Sequence, residues 1–452
     1  MPVYFYQIAA FILLILAVWH YFKYNDEFLF LPVLFFMLTG ISRYKAVLSG
    51  KANWVSVAYT RNIFTEMTFD KALWALGLFF LGTFILSVTY SLVNSRRRYP
   101  PVIDNDDLFT SFMREKRILI LILFFFFVVL NSVFKGMISG NLALGNSYFL
   151  LFGMAIAGLI LLAYLVYKSY NFRENFFVKL LFLLLMIWGM FVSYSPSMRF
   201  QFISWMVALG ILVTRYNTPW QKTKYYAAGG AALLLFFALA GVARTYDVKS
   251  LTWKQRFELA AQRNEKKLDQ NMLDGFMMVL DVYPEHLNYS YGMEHFEILL
   301  RPIPRRWWPG KPLGGYHNKL GLNNMQYGTV GISQTIYGSF YGEGGWIGII
   351  LFSVLYGWLF VALFRYALRY ESDLKWLLKG VILASFIPIL RGGDLPGIVA
   401  FIGMSYWPVF LIVIMYNRWL RTHGRNEDKV EDKVEDEVED EGKPIYTGPG
   451  FR

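Results

Sequence analysis

Long apolar runs separated by short polar segments dominate the hydropathy pattern of this chain of 452 residues. A helical run of about twenty apolar residues crosses a bilayer core of about 30 Å. The pattern therefore predicts an all-α fold, a polytopic membrane helical bundle with about 11 transmembrane helices. The predicted spans are 4–22, 28–42, 71–93, 118–136, 147–167, 180–194, 200–214, 225–243, 345–364, 377–390 and 397–416.

Basic residues are distributed unevenly among the loops that join these spans. Eighteen lysines and arginines lie in five segments, whereas the three short loops between them hold one each. Because cytoplasmic loops carry the excess of Lys and Arg, the five segments are predicted to be cytoplasmic. This places the N-terminus outside and the C-terminus inside. The five segments are 94–117, 168–179, 215–224, 365–375 and 418–425.

Segment 43–70 is the exception to this distribution. It is predicted to lie outside, yet it carries Arg43, Lys45, Lys51 and Arg61. A re-entrant or interfacial helix here would change the number of spans. The topology of residues 1–70 is therefore left open by the sequence.

Segment 244–334, between the eighth and ninth spans, is the only long loop between spans and is predicted to be extracytoplasmic. In its first part, apolar residues from Leu268 to Leu280 recur at helical spacing opposite a charged face. This predicts an amphipathic helix lying on the membrane or on the bundle. From Tyr283 onwards, Pro, Gly and aromatic residues predict irregular structure.

Composition divides the chain into two parts and limits the kinds of partner that it is predicted to bind. Residues 1–426 form the predicted membrane domain, and 427–452 form an acidic, low-complexity cytoplasmic tail predicted to be disordered. The formal net charge is +12 although segment 427–443 carries −7, so the rest of the chain carries +19. These charges are spread between apolar spans, which favours membrane lipids and an anionic substrate over nucleic acid. The absence of cysteine excludes disulfides and Cys-ligated metals.

The most distinctive stretch is the proline-rich segment 301–312. Its four prolines fix the backbone outside the helical conformation, so that it presents its cations on a stiff, extended scaffold. Guanidinium groups form bidentate, charge-assisted hydrogen bonds to phosphate oxygens, and two tryptophans suit the headgroup level. The segment fits either a lipid-linked diphosphate or simple anchoring to anionic lipids. Its cations are Arg301, Arg305, Arg306 and Lys311.

Three arginines outside this segment fall at the same predicted membrane face. Arg199 begins the seventh span, Arg244 ends the eighth, and Arg391 precedes Asp394 in the last outer loop. Taken singly, each fits a snorkelling side chain or an ion pair. Together they favour a cavity for an anionic substrate.

Two residues are candidates for proton transfer. Glu343 lies where the long loop re-enters the membrane, and it fits either a general base or an ion pair with one of the arginines. His317 lies earlier in the loop. The sequence contains no His cluster, no phosphate-binding Gly-rich loop and no convincing acidic pair in an early outer loop, so no metal site is predicted.

Several of these motifs resemble those of the Wzy-type O-antigen polymerases, also called oligosaccharide repeat-unit polymerases. The resemblance rests on the Ile303-Pro-Arg-Arg-Trp-Trp-Pro-Gly-Lys-Pro312 sequence and on Tyr341-Gly-Glu343 before a glycine-rich span. The approach at Tyr283-Pro284 and the Arg199–Gly210 spacing are similar too. Recognisable motifs are concentrated in 283–350, whereas the topology of most of the chain is similar.

The resemblance implies a metal-independent membrane glycosyltransferase, without cofactor, in the bacterial cytoplasmic (inner) membrane. Such an enzyme joins undecaprenyl-diphosphate-linked oligosaccharide units on the periplasmic side and releases undecaprenyl diphosphate. The product would be O-antigen of lipopolysaccharide, capsule or a related polysaccharide, and a chain-length regulator protein is an expected partner. By this resemblance Arg199, Arg305 and Arg391 stabilise the diphosphate, Arg301, Arg306 and Lys311 assist, and Glu343 or His317 deprotonates or orients the acceptor hydroxyl.

Two other functions compete with polymerisation. An O-antigen ligase performs the same chemistry on a different acceptor. A flippase or transporter for lipid-linked oligosaccharides would show internal repeats and charges at mid-membrane depth. The charges of this chain gather at one face beside a long loop, which favours an enzyme.

Overall fold

The structure is a computed structural model, and it is almost entirely helical over the residues it describes. These are 2–56, 62–96, 100–139, 154–171, 173–194, 199–247, 250–266, 270–301, 303, 306–312, 314–324, 328–329 and 332–441.

Ten helices lie before the long loop in the described part of the chain. They are α1 Pro2–Tyr24, α2 Phe30–Phe35, α3 Ser42–Leu48, α4 Phe69–Ser95, α5 Asp106–Glu115, α6 Arg117–Ser139, α7 Ile156–Ser169, α8 Phe176–Ser193, α9 Arg199–Val213 and α10 Pro219–Thr245. A π-helical turn, Phe36–Ile41, joins α2 to α3 without a break.

The residues of the long loop that the structure describes form four shorter helices and one small hairpin. They are α11 Trp253–Glu265, α12 Met272–Val282, α13 Met293–Leu300, α14 Tyr316–Lys319, β1 Asn323–Asn324 and β2 Gly328–Thr329. The two strands pair antiparallel, with Asn323 opposite Thr329. The last three helices are α15 Thr335–Ala367, α16 Asp373–Arg391 and α17 Leu395–Glu441.

Seven of the described helices are long and apolar enough to cross a membrane, and α5 with α6, bent by 60°, forms an eighth candidate. A helical, multi-pass membrane protein is therefore confirmed, whereas the predicted count of eleven is not. The three remaining runs lie in α7, α9 and α16, and residues 147–153 of the first are outside the described part. In the described part, α7 and α9 are too short to cross a membrane alone. Helix α16 is long enough but carries four charged residues, Asp373, Lys375, Lys379 and Arg391.

Helix α16 shows how charged residues are accommodated inside this bundle. Its first half packs in one hydrophobic cluster with α5–α9 and α17, and its second half packs in another with α1, α4, α12 and α15. Lys379 and Asp373 on this helix pair with Glu27 and Arg215. Ion pairing with residues between other helices makes charge tolerable on a helix enclosed by protein.

The loops gather at two opposite ends of the bundle. At the basic end, formed by the described residues of segments 23–27, 94–117, 168–175, 214–219 and 365–375, Arg365 donates to the Val93 carbonyl at 2.9 Å. The loop end comprises the described residues of segments 49–68, 246–334 and 391–394. This partition agrees with the alternation predicted from the basic residues; which side of a membrane each end faces stays a prediction.

Ion pairs account for two of the four cations of the exceptional segment 43–70. Three acidic residues of the long loop neutralise cations in or next to it, so its charge reflects tertiary pairing. The pairs are Arg43–Asp274 at 2.7 Å, Lys51–Glu265 at 3.2 Å and Lys71–Asp281.

The predicted amphipathic helix of the long loop is divided into two helices, and α12 is buried. Met272, Leu273, Phe276 and Met277 pack in the core as their spacing predicts. Asp274, on the predicted polar face, is buried as well because it pairs with Arg43. Of the two predicted placements, on the membrane or on the bundle, α12 takes the second.

Two further helices extend beyond their predicted limits. Helix α15 begins ten residues before the predicted span 345–364 and kinks at Gly344 and Gly345, where Gly345 has a φ of 64°. The backbone of α17 runs on to Glu441, into the tail predicted to be disordered.

Candidate functional site

Helices α9 and α16 run antiparallel, and this places two of the predicted arginines at one end. Arg215 pairs with Asp373 at the basic end. Farther along, a Cβ on Gly380 would lie 3.0 Å from the Ala208 carbonyl oxygen. The first residue of α9, Arg199, and the last residue of α16, Arg391, therefore both lie at the loop end. The side chain of Arg199 is outside the described part, as is that of Arg244 near the end of α10.

The proline-rich segment meets the turn that follows Arg391. Arg301 donates from Nη2 to Oδ2 of Asp394 at 3.2 Å, and both side chains are partly exposed. Gly314, with φ +45°, lies close to the same carboxylate: a Cβ there would come within 2.5 Å of Oδ1 of Asp394. Asp394 thus joins Arg301 to the end of α16, in addition to lying near Arg391 in the sequence.

Lys311 holds the proline-rich segment in shape. Its ammonium donates to the carbonyl oxygens of Arg301 at 2.7 Å and Ile303 at 2.8 Å, and the residue is buried. Two carbonyl partners and burial favour a positioning role over direct contact with a diphosphate.

The middle of the segment is open to its surroundings. Arg306 is exposed, and the ring of Trp307 is 79% exposed. Exposed indole rings beside cations are typical of the headgroup level of a membrane. Arg305, the central predicted arginine, lies outside the described residues.

Glu343 is buried and engaged on both carboxylate oxygens. It accepts from the backbone N–H of Gly292 and lies 2.8 Å from Nδ1 of His295. Gly292 has a φ of 92° and precedes α13, so the carboxylate fixes the start of that helix. The kink at Gly344 directly follows Glu343 in the chain. This environment favours a positioning role for Glu343, in contrast to a base that approaches the substrate.

His295 is enclosed by aromatic rings. Its imidazole stacks on Phe352 with a centroid separation of 4.1 Å, and its Nε2 lies 3.3 Å from the Tyr356 hydroxyl. His295 of α13 thus bridges two residues of α15, Glu343 and Tyr356, in a continuous polar chain.

His317 occupies a different setting at the same end. Its ring stacks on Tyr316, with centroids 3.8 Å apart. Burial lowers the pKa of its imidazole to about 4, so the ring is neutral at pH 7. Among the described residues, its buried Nε2 atom makes no hydrogen bond. A neutral imidazole with an unused nitrogen is able to accept a proton or to orient a hydroxyl group.

Two more acids lie close to this group. Glu294 and Glu297, three residues apart on α13, are both buried, and Lys319 approaches Glu294 at 3.5 Å. Burial raises the pKa of Glu294 to about 7; the Lys319 ammonium opposes this shift, and Glu343 and Glu297 add to it. Burial raises the pKa of Glu297 as well.

Sequence reasoning singled out Glu343 and His317 but missed His295, Glu294 and Glu297. The spacing of the two glutamates, three residues apart, places them on one helix face and is visible in the sequence. The partnership of His295 with Glu343 is not, because 48 residues separate them.

The described part of this end is rich in hydrogen-bonding groups and contains no cluster of His, Cys, Asp or Glu that could hold a metal ion. Its cations are arginines and lysines from α16 and the proline-rich segment. They are suited to a phosphorylated ligand, and the neighbouring carboxylates and imidazoles are suited to hydroxyl groups.

Comparison with known proteins found no significant similarity to this chain. No family model matches it, and neither a curated protein nor a solved structure is significantly similar.

Proposed function

We propose that this chain is a membrane glycosyltransferase that polymerises undecaprenyl-diphosphate-linked oligosaccharide units. The observation that supports this most is the junction of Arg301 with Asp394 beside Arg391. It brings the proline-rich segment, which resembles the polymerase motif, to the end of α16. The start of α9, with Arg199, lies at the same end of the bundle.

In the proposed reaction, an acceptor sugar hydroxyl attacks the anomeric carbon of the donor glycan. The new glycosidic C–O bond forms as the bond from that carbon to the diphosphate oxygen breaks. Undecaprenyl diphosphate leaves with the electron pair and an additional negative charge. Guanidinium groups placed around the diphosphate stabilise that charge as it develops.

Arg391 and Arg301 are the described residues proposed to hold the diphosphate, with Arg199, Arg305 and Arg244 from adjoining segments. Exposed Arg306 is proposed to meet the same phosphates or those of neighbouring lipids. Lys311 is assigned a positioning role, because its ammonium holds two carbonyls of the proline-rich segment.

His317 is proposed to orient the acceptor hydroxyl by accepting its hydrogen bond, and to take its proton once the negative charge of the bound diphosphate raises the pKa of the ring. It is neutral at pH 7, and its Nε2 makes no hydrogen bond among the described residues. A buried acceptor without a partner is unfavourable by about 1–3 kcal/mol, which a substrate hydroxyl would relieve. Glu343 supports the site indirectly, through Gly292 and His295.

The test is reconstitution of the full-length protein in vesicles with a synthetic undecaprenyl-diphosphate oligosaccharide. Products carrying two or more repeat units are resolved on a gel, with and without chelator. Arg391→Gln is expected to abolish chain growth, and Arg391→Lys to restore only part of it because lysine lacks the guanidinium fork. Arg369→Gln, an exposed arginine at the basic end, is the charge-matched control.

Each alternative outcome has a clear meaning. Chain growth by Arg391→Gln at the wild-type rate would contradict the diphosphate assignment. Transfer to a lipid A core acceptor without chain growth indicates a ligase, and movement of the substrate across the vesicle membrane without any transfer indicates a flippase. Loss of activity on adding chelator contradicts metal independence.

A further inference from the structure

A groove of about 410 Å³ opens at the basic end of the bundle, far from the loop end. It lies between α5, the end of α7, the loop after α9 and the start of α16. Its polar wall includes Arg114, Lys168, Asp106 and the Arg215–Asp373 pair. Nothing in the proposed glycosyl transfer uses these residues.

The floor of the groove is apolar. Phe109, Met113 and Leu165 line it and are almost completely buried. An apolar floor beneath charged walls suits an amphiphile better than a fully hydrated ion.

One wall is cationic and has hydrogen-bond donors available for a ligand. Arg114 donates from Nε and Nη2 to the Ser169 carbonyl oxygen at 3.0 and 2.8 Å, which leaves Nη1. The ammonium of Lys168 is exposed, and no carboxylate among the described residues lies within ion-pair distance of it. These two cations are suited to a phosphate group.

The opposite wall is acidic. Arg215 is committed to Asp373 and to the Leu212 carbonyl, so it neutralises only one of the two carboxylates. Asp106 is exposed, and it accepts from the Asp373 backbone N–H at 2.9 Å and from the Tyr216 hydroxyl at 3.4 Å. A cation beside Asp106 would balance the remaining negative charge.

We propose that this groove binds the headgroup of a zwitterionic, amine-bearing phospholipid. The phosphodiester lies against Arg114 and Lys168, and the ammonium lies against Asp106. The acidic wall disfavours a polyanionic ligand, because an additional negative charge would face the uncompensated carboxylate of Asp106. The groove lies at the end where the helices leave the apolar layer, so acyl chains would remain in the bilayer. The assignment is independent of the glycosyltransferase proposal.

The experiment measures lipid binding to the detergent-solubilised full-length protein by native mass spectrometry. The probes are phosphatidylethanolamine, phosphatidylglycerol and phosphatidylcholine with identical acyl chains, and soluble phosphoethanolamine. We expect phosphatidylethanolamine to bind most tightly, since its ammonium donates hydrogen bonds that the trimethylammonium of phosphatidylcholine lacks. We expect soluble phosphoethanolamine to bind more than tenfold more weakly, because it lacks the apolar contacts of the lipid.

Two groove variants locate the site. Lys168→Glu should weaken binding of phosphatidylethanolamine about fivefold, the size expected for one partly exposed charge contact. Arg173→Glu, an equal charge change at an exposed arginine five residues away, should leave it unchanged. Asp106→Asn should reduce the preference for phosphatidylethanolamine over phosphatidylglycerol while it keeps phosphate binding.

Three results would overturn the proposal. They are equal losses for Lys168→Glu and Arg173→Glu, tighter binding of phosphatidylglycerol than of phosphatidylethanolamine by the wild type, and binding of soluble phosphoethanolamine as tight as that of the lipid. Should Lys168→Glu fail to yield folded protein, Lys168→Gln and Asp106→Asn supply the same comparison.

Discussion

The guanidinium of Arg43 donates to both carboxylate oxygens of Asp274, from Nε to Oδ1 at 2.9 Å and from Nη2 to Oδ2 at 2.7 Å. The pair is almost wholly excluded from solvent. The two residues are 231 positions apart. Arg43 also donates to the Asn53 carbonyl, and Asp274 accepts from the Val55 N–H, so the pair ties the start of the long loop to the segment after α3.

Breaking this pair is expected to destabilise the protein strongly. Asp274→Asn leaves Arg43 charged and buried, a change worth about 3–5 kcal/mol in similar buried pairs. Thermal unfolding in detergent measures the effect. Lys51→Ala, which breaks the exposed Lys51–Glu265 pair, is the control and should change stability by less than about 1 kcal/mol. Equal changes in melting temperature in the two variants would show that the buried pair stabilises the protein no more than the exposed pair does.

Glu343 is expected to tolerate glutamine but not alanine. Glutamine keeps an acceptor for the Gly292 N–H and a partner for His295, whereas alanine leaves both buried groups unpaired, at about 1–3 kcal/mol each. Glycosyl transfer and thermal stability, measured on both variants, should fall together in Glu343→Ala and largely persist in Glu343→Gln. Complete loss of transfer in a stable Glu343→Gln protein would instead identify this carboxylate as the base.

His317 makes the stability of the folded protein depend on pH. Its pKa is lowered from 6.5 to about 4, so below pH 6.5 the unfolded chain takes up a proton that the folded chain refuses. The contribution to stability is complete above about pH 6.5 and falls by about 3 kcal/mol as the pH drops towards 4. Melting temperatures between pH 7.5 and 4.5 should fall less steeply in His317→Gln. The control is His286→Gln, at an exposed histidine, which should melt with the wild-type slope.

Glu294 is expected to act in the opposite direction. Its pKa is raised from 4.5 to about 7, so the folded protein retains a proton that the unfolded chain releases. This stabilisation is complete below about pH 4.5 and is lost, by about 3 kcal/mol, as the pH rises through 7. Glu294→Gln should therefore gain stability relative to the wild type between pH 5 and pH 8. Glu285→Gln, at an exposed glutamate of the same loop, should show no such trend.

Two glycines in helices of the bundle should respond oppositely to alanine. A Cβ on Gly82 would overlap the ring of buried Tyr337, so Gly82→Ala forces α4 and α15 apart and should cost about 1–3 kcal/mol or more. A Cβ on Gly210 would meet no atom within 4 Å, so Gly210→Ala should be neutral or stabilising by up to about 1 kcal/mol. Thermal unfolding checks both. Destabilisation by Gly210→Ala would show that the Arg199–Gly210 spacing reflects a packing requirement.

The sequence alone predicted helices from its apolar runs, because the hydropathy of each run is a local property. A stretch such as 71–93 must satisfy its own backbone hydrogen bonds in an apolar layer, and a helix does so without help from other segments. Helix α4 accordingly spans Phe69–Ser95. The distribution of basic residues likewise predicted which loops share an end, since charge is read directly from composition.

The same reasoning failed where a charge has a distant partner. Asp274 was assigned to the polar face of its helix, and the four cations of segment 43–70 left the topology of residues 1–70 open. The pair with Arg43 explains the burial of Asp274, and the pairs of Arg43 and Lys51 account for two of the four cations. Pairing across more than two hundred residues leaves no periodic trace in the sequence.

The sequence by itself determined that the chain is a bundle of apolar helices with its long, proline-rich loop at one end and the five short basic segments at the other. Only the tertiary structure decided that Glu343 holds His295, that Arg301 meets Asp394, and that α16 can be both charged and central. Helix formation in an apolar layer depends on each segment alone. The meeting of polar side chains depends on how segments far apart in the chain pack against one another.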